Sequence, residues 1–224
     1  MFDKIVEPYD RLNHVLSLGL DRRWRRILVD SAAGSGSPVL DLCCGTGDVS
    51  LQWLLRAPQN RPLVAADFSG PMCEAAARKL KSRAPAGNRW DIVRADGLAL
   101  PFADRSFRAV SVAFGLRNYE DLGRGLAEIH RVLDMGGRLA VLEFAPPRGA
   151  FLRTLYRPYL SLAVPLAGRL LAGSGPAYGY LSSSIQAFLA PEQMSAAISA
   201  AGFVQVEAKP LTWGVTFLYT AVRP

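Results

Sequence analysis

Three aspartates stand at the ends of three short apolar runs: Asp41 in Val39-Leu40-Asp41-Leu42, Asp67 after Leu63-Val64-Ala65-Ala66, and Asp96 in Arg94-Ala95-Asp96-Gly97. The first run passes into a glycine turn, Cys43-Cys44-Gly45-Thr46-Gly47. Beyond it, Asp48-Val49-Ser50-Leu51-Gln52-Trp53-Leu54-Leu55 has helical spacing. Strand, tight turn and helix in that order let a ligand approach the backbone, because glycine removes the Cβ that would hold it off. The continuation of the turn indicates the ligand's charge. A dinucleotide site wants G-x-G-x-x-G, but Gly47 is followed by Asp48, Val49 and Ser50. A carboxylate in the first helical turn repels phosphate and already satisfies the positive helix end. The turn therefore favours a cationic or zwitterionic ligand and argues against a dehydrogenase.

S-adenosylmethionine meets that preference, since it carries a sulfonium, an ammonium and a carboxylate but no phosphate. Asp67 is placed to accept from both ribose hydroxyls, as carboxylates do at this position of doubly wound sheets. Asp96 can accept from the adenine amino group while Gly97 lets the ring come close. A lone Asp after a strand usually serves a cap or a turn, but three on successive strands point to a site. Asp41, Gly45 and Gly47 belong to the same cradle.

These residues require a frame of alternating strands and helices. Gly70 to Arg83, with Pro71 in its first turn, reads as a helix, and strands are expected at Trp90 to Arg94, Ala109 to Phe114 and Arg138 to Glu143. Glu120 to Leu133 sets Leu122, Leu126, Ile129 and Leu133 on one face, and Gly136-Gly137 reads as its C-terminal stop. Helices are expected at Tyr9 to Leu18, Asp21 to Val29 and Pro191 to Ala201, with a further helical region from Ala150 to Ala172. Phe203 to Lys209 and Gly214 to Val222 are strand-like runs joined by a turn containing Pro210, which predicts an antiparallel hairpin at the sheet edge. The fold class is α/β and Rossmann-like, with a mostly parallel seven-stranded sheet, a C-terminal antiparallel hairpin and an N-terminal helical cap. It divides as one domain over 1–224: cap 1–35, cofactor-binding core 36–145, helical lid or insert 146–190, and terminal helix and hairpin 191–224.

Bulk properties remove other classes. With 224 residues, half of them hydrophobic and a fifth charged, the chain suits one globular domain. Its net charge of +7 is spread along the chain except for the knot Arg22, Arg23, Arg25 and Arg26. No aromatic-interleaved tract accompanies that knot, so it reads as a solvated helix face or an attraction to anionic lipid, and nucleic acid is not expected. Cys43, Cys44 and Cys73 lack C-x-x-C spacing, no metal is expected, and a reducing, cytoplasmic setting fits a start without a secretory signal. Phe151 to Ala172 is broken by Arg153, Arg157, Arg169, Pro158 and Pro165, which argues against a membrane span. His14 and His130 belong to no triad-like constellation, and Met72 and Met135 read as packing or loop residues.

Further marks run along nearly the whole length: Tyr9-Asp10-Arg11-Leu12-Asn13 followed by Ser17 and Trp24, Leu42-Cys43-Cys44-Gly45-Thr46-Gly47-Asp48, Asp67-Phe68-Ser69, Leu100-Pro101-Phe102, and Phe114-Gly115-Leu116-Arg117-Asn118. In these the chain resembles the quinone C-methyltransferases of menaquinone and ubiquinone biosynthesis, which are class I methyltransferases dependent on S-adenosylmethionine. The glycine turn is shared by many methyltransferases, whereas Phe-Gly-Leu-Arg-Asn with the Tyr-Asp-x-x-Asn opening is specific. The resemblance implies cofactor contacts from Thr46, Asp67, Phe68, Asp96 and Gly97 and from the backbone near Ala113. The sequence departs from the family pattern at Asp134-Met135, at Ala145, and at Asp21, where a histidine is common.

A prenylated quinol, in first place demethylmenaquinol, is the acceptor that the resemblance implies. Its ring carbon becomes nucleophilic as the neighbouring hydroxyl loses its proton, so some group must help that proton leave. Tyr9, Arg117 and Asn118 are the candidates, because the two specific segments should converge over the methyl. Arg117 can stabilise a developing phenolate, with Tyr9 and Asn118 orienting the oxygen; the alternative is that Arg117-Asn118 is only a capped loop. Phe151 to Ala172 can serve as a lid over a prenyl tail or as an ordinary core helix. A lipophilic acceptor brings an expectation of transient, peripheral contact with the inner face of a membrane, and a homodimer stays open. Two other readings remain: a methyltransferase of this lineage acting on another small aromatic or natural product, and a non-catalytic protein that keeps the cofactor pocket.

Overall fold

The computed structural model describes residues 10, 13–56, 61–146 and 175–224, the side chains of 175–178 and 181–182 excepted. Tyr9 and the expected lid over Phe151 to Ala172 lie outside the described residues. The elements in chain order are α1 Leu20–Ala32, β1 Val39–Leu42, α2 Asp48–Arg56, β2 Leu63–Asp67, α3 Gly70–Arg83, β3 Trp90–Arg94, β4 Phe107–Ala113, α4 Leu122–Val132, β5 Leu133–Phe144, α5 Gly175–Ala187, α6 Pro191–Ala200, β6 Val204–Leu211 and β7 Thr216–Val222.

The seven strands form one sheet in the order β3-β2-β1-β4-β5-β7-β6. The first five are parallel, and β7 runs antiparallel to both β5 and β6. Parallel strands need helical crossovers, so both faces are covered. On one face Leu40, Leu42, Val110 and Val112 pack against Leu126 and Ile129 of α4 and Met194 and Ile198 of α6. On the other, Val39, Leu63, Ala109 and Leu142 meet Trp24 and Leu28 of α1, Trp53 of α2 and Leu80 of α3. The order reverses between β2-β1 and β4, which opens a crevice at the carboxyl ends of those strands.

Helix starts follow the expected chemistry. The Ser69 hydroxyl accepts from Met72 N–H at 3.3 Å with Pro71 beside it, and Asp121 caps α4 by accepting from Arg124 N–H at 2.9 Å. Two expectations need correction. Gly136-Gly137 does not end α4, since the chain turns directly into β5 at Leu133 and the glycines form an irregularity inside that strand. Gly136, at φ 70°, gives the bend a backbone most residues avoid, and its N–H finds the Arg223 carbonyl at 2.9 Å. Pro210 is not in the hairpin turn; it lies within β6 opposite Phe217, and the turn is Thr212–Gly214. An edge strand tolerates the missing N–H.

Candidate active site

Where β1 ends, Cys43 and Gly45 adopt φ of 57° and 53°, and Gly47 follows at 85°. A Cβ on Gly47 would come within 3.1 Å of Ala76 Cβ, so this glycine brings the turn onto α3. A Cβ on Gly45 would meet nothing within 4 Å, which leaves that side of the turn open to a ligand. Asp67 braces the turn: its Oδ2 accepts from Gly45 N–H at 2.8 Å and its Oδ1 from Ser69 N–H at 2.9 Å. Phe68 beside it is 68% exposed. Asp96 Oδ1 accepts from Leu98 N–H at 2.9 Å, closing the turn beyond β3.

The other predicted cofactor residues divide. Thr46 is buried, donating to Asp10 Oδ1 at 2.5 Å and accepting from Lys79 Nζ at 3.0 Å. Asp41 does not face the cleft as a ligand contact would. It is 1% exposed beneath the turn, taking Ser50 Oγ at 2.5 Å and Ser111 Oγ at 2.9 Å. Trp53 Nε1 in turn donates to Ser111 Oγ at 3.0 Å. Burial pushes the Asp41 carboxyl up to about 7 against the pull of those two hydroxyls. Asp41 thus secures the turn from below. The open side of Gly97 was expected to admit the adenine ring, but Tyr119 fills it, its hydroxyl 2.0 Å from where a Cβ would stand; the same ring lies against Gly125.

Asp48 sits at the start of α2 as expected, but its charge is engaged. Lys79 Nζ bonds Asp48 Oδ1 and Asp10 Oδ2, each at 2.6 Å, and Arg25 Nη1 stands 3.5 Å from Asp48 Oδ2. Burial alone would raise the Asp48 carboxyl, but Arg25 and Lys79 outweigh it and hold it below its usual range. Arg25 also pairs with the buried Asp21, whose Oδ2 lies 2.6 Å from His14 Nδ1. His14, Asp21 and Asp48 bring their ligand atoms within 4.8 Å of one another, but the two cations already stand where a metal's charge would be. Around the turn four carboxylates, Asp10, Asp21, Asp48 and Asp67, face three cations, Lys79, Arg25 and, over Phe68, Arg94. That net negative field suits a phosphate-free, cation-bearing nucleoside and repels pyrophosphate.

The tips of β4 and β5 are different. Ala113 ends β4 half-buried, Phe114 follows at φ 59°, and Leu116–Asn118 makes a short 3-10 turn. Gly115 is forced by Cys43, whose Cβ would lie 2.5 Å from an added Cβ. Burial and the Asp67 charge push the Cys43 thiol up to about 12, so it is no nucleophile. Arg117 turns inward, its side chain 4% exposed, with Nη1 donating to Glu143 Oε1 at 2.8 Å and also to the Phe114 carbonyl. Glu143, 0% exposed, also accepts from the backbone N–H groups of Arg117 at 3.3 Å and Phe144 at 2.9 Å. Arg117 Nε is buried with no hydrogen-bond partner among the described residues.

Aromatic rings wall this end. Phe114 stacks on Phe144 at 4.5 Å, and Trp24 meets both edge-on at 6.3 and 6.2 Å. Asn118 Oδ1 accepts from the Tyr180 hydroxyl at 3.2 Å. Arg117, Tyr180, Ser183, Ser184, Ala187 and Phe188 line a hollow of about 310 Å³. The structure thus brings Arg117 and Asn118 together, while Glu143, Tyr180, Tyr119 and Lys79 were not singled out from the sequence and Asp10 was marked only as part of the Tyr-Asp-x-x-Asn opening. Glu143 carried a signal: a carboxylate inside the apolar run Leu139 to Phe144 must find a partner.

This sheet order, with its single antiparallel strand beside the edge and an acidic glycine turn at the switch point, defines a Rossmann-like class I methyltransferase. A methyltransferase from Aquifex aeolicus dependent on S-adenosylmethionine shares the fold, with a TM-score of 0.67 and 14% identity over 97% of this chain and 99% of that one. The sequence profile of the ubiE/COQ5 methyltransferase family matches residues 1–223, and the chain belongs to that family. It is 46% identical to a demethylmenaquinone methyltransferase of Thermus thermophilus, with both chains covered completely. It is 39% identical to a ubiquinone/menaquinone biosynthesis C-methyltransferase of Geotalea daltonii over 100% of this chain and 94% of the other. The cofactor of the enzyme is S-adenosylmethionine. Among the described residues no helix is long and apolar enough to cross a membrane.

Proposed function

We propose that the protein methylates a ring carbon of a prenylated quinol, demethylmenaquinol, and that Arg117 is the group that makes the ring reactive. The observation that carries this reading is Arg117 itself: a buried guanidinium with its Nε unpartnered among the described residues, edging a hollow beside Asn118 and Tyr180. Thr46, Asp67, Phe68, Asp96, Gly97, the turn glycines Gly45 and Gly47, and the backbone near Ala113 hold the cofactor. When bound, it supplies an electrophilic methyl on a sulfonium that leaves as a neutral thioether.

The residues of this chain prepare the acceptor. A quinol hydroxyl entering the hollow that Arg117 edges loses its proton more readily, because the guanidinium, although paired with Glu143, favours the phenolate there. Arg117 is too basic to take the hydroxyl proton itself, so that proton leaves to water; once the ring carbon has bonded the methyl, its own hydrogen leaves as a proton and the ring regains aromaticity. Asn118 and Tyr9 orient the oxygen, and the rings of Phe114, Phe144 and Trp24 exclude competing solvent. The names of the Thermus and Geotalea relatives support a quinone-pathway acceptor. Such an acceptor is a lipid, which brings the enzyme to the inner face of a membrane as a peripheral protein.

The test is labelled methyl transfer to a matched pair of demethylated naphthoquinol and benzoquinol. Transfer to the naphthoquinol is expected, and transfer to neither contradicts the proposal. Arg117→Ala should lower turnover by about tenfold or more with affinity for S-adenosylhomocysteine nearly intact. Unchanged turnover would remove Arg117 from the mechanism.

A further inference from the structure

Two large apolar side chains stand outside the core, one just before α1 and one in the turn between β6 and β7. Leu18, in the turn before α1, and Trp213, in the turn between β6 and β7, are each 88% exposed. Both sit in left-handed backbone, with φ of 52° and 56°, a conformation bulky residues seldom hold. Trp24 Nε1 donates to Thr212 Oγ1 at 2.9 Å, which ties the start of α1 to the turn that carries Trp213. That turn adjoins the carboxyl end of β5: Phe144 pairs with Thr216, and Ala145 N–H bonds the Val215 carbonyl at 3.2 Å. Trp213 therefore stands beside the joint of Trp24, Phe114 and Phe144, and Leu18 precedes α1 on the same helix's approach.

The polar surroundings of the joint are cationic. On α1, Arg22, Arg23 and Arg26 are exposed, whereas Asp21 and Arg25 are buried and paired with each other. Asp30, the exposed acid further along the helix, is held by Arg56 through two bonds of 2.8 and 2.9 Å. Exposed Lys209 and Glu207 on β6 offset one another. An exposed tryptophan and leucine beside three unpaired-facing arginines match an anionic bilayer, whose interface takes up indole rings and whose headgroups attract guanidinium.

We propose that this face, Leu18 and Trp213 with Arg22, Arg23 and Arg26, docks the enzyme on anionic phospholipid with the acceptor end of the cleft toward the bilayer. The inference rests on the proposed lipid acceptor and adds the surface through which that acceptor is reached. The arginines supply attraction that falls with salt, and Trp213 inserts at headgroup depth.

Flotation with vesicles of phosphatidylcholine, with and without phosphatidylglycerol, tests it. Binding to the phosphatidylglycerol vesicles at low salt is expected. It should weaken roughly thirtyfold for the pair Arg22→Gln and Arg23→Gln, and about tenfold for Trp213→Ser. Brominated acyl chains should quench the fluorescence of the wild type more than that of Trp213→Phe, because Trp24 and Trp53 are buried and the half-buried Trp90 lies on β3, at the opposite edge of the sheet. Indifference to phosphatidylglycerol, undiminished binding of both variants, or equal quenching overturns the proposal. So does self-association that Trp213→Ser abolishes, which would make the face a contact between copies. Transfer to a tail-less demethylated naphthoquinol in solution separates the two readings. If that activity is present in wild type and Trp213→Ser while vesicle binding is absent, docking alone fails. If vesicle binding holds and no quinol is methylated, the acceptor reading fails.

Discussion

The two halves of the cleft solve opposite electrostatic problems with the same scaffold. At the tips of β1 to β3, carboxylates outnumber cations and are linked to one another through Lys79 and Arg25, half-open to solvent. At the tips of β4 and β5, one guanidinium meets one carboxylate among aromatic rings, with almost no exposure. The first arrangement selects the charge of a ligand, because many shared charges set a field over the whole turn. The second holds one guanidinium against one buried carboxylate, so its charge is local and nearly compensated. Cofactor binding and acceptor activation should therefore respond to different substitutions.

The largest expected break in this comparison is at Glu143. Glu143→Ala leaves a buried guanidinium without its counter-charge and should cost about 3–5 kcal/mol in denaturant unfolding. Glu143→Gln, which keeps acceptors for the Arg117 and Phe144 N–H groups, should cost less. A loss under about 1 kcal/mol for Glu143→Ala would show that the pair is not the electrostatic unit described here.

Asp41 separates the halves by pH. Burial raises its carboxyl from 3.8 to about 7, so folding favours the protonated form. The stability this group contributes is full below 3.8 and is lost as pH rises through about 7. Thermal unfolding across that window should show a decline in the wild type that Asp41→Asn flattens. Parallel curves would mean that the carboxyl ionises normally. The smallest effect is expected at Lys79. Lys79→Met removes the bridge between Asp10 and Asp48, weakening S-adenosylhomocysteine binding several-fold, on the order of 1 kcal/mol. Calorimetry checks it, and unaltered affinity would separate the bridge from the cofactor site.

Much of the fold was legible because its signals are local. The turn after β1, the Ser69-Gly70-Pro71 start of α3 and the amphipathic spacing of α4 each lie within a few residues. The bend at Gly136-Gly137 and the strand position of Pro210 were misread because their partners, Arg223 and Phe217, are distant in sequence. The same limit governs the site. Asp67 stands out at a strand end, whereas Arg117 was noticed only through the resemblance carried by Phe114-Gly115-Leu116-Arg117-Asn118. Asp41 looks alike in sequence, yet Ser50 and Ser111 claim both its oxygens from below. Lys79 falls on a helix rich in basic residues, and nothing local distinguishes it from Lys81. Tyr119 shows its role only once Gly97 and Gly125 are seen on either side of its ring.

Calorimetric titration of S-adenosylhomocysteine into wild type, Asp67→Asn and Arg117→Ala, with NAD as the competing ligand, tests the division of the cleft most directly. The structure predicts binding to the wild type, a loss of roughly tenfold or more in Asp67→Asn, near-wild-type affinity in Arg117→Ala, and no heat from NAD. Tight NAD binding, or a nucleoside affinity indifferent to Asp67 and dependent on Arg117, would contradict it.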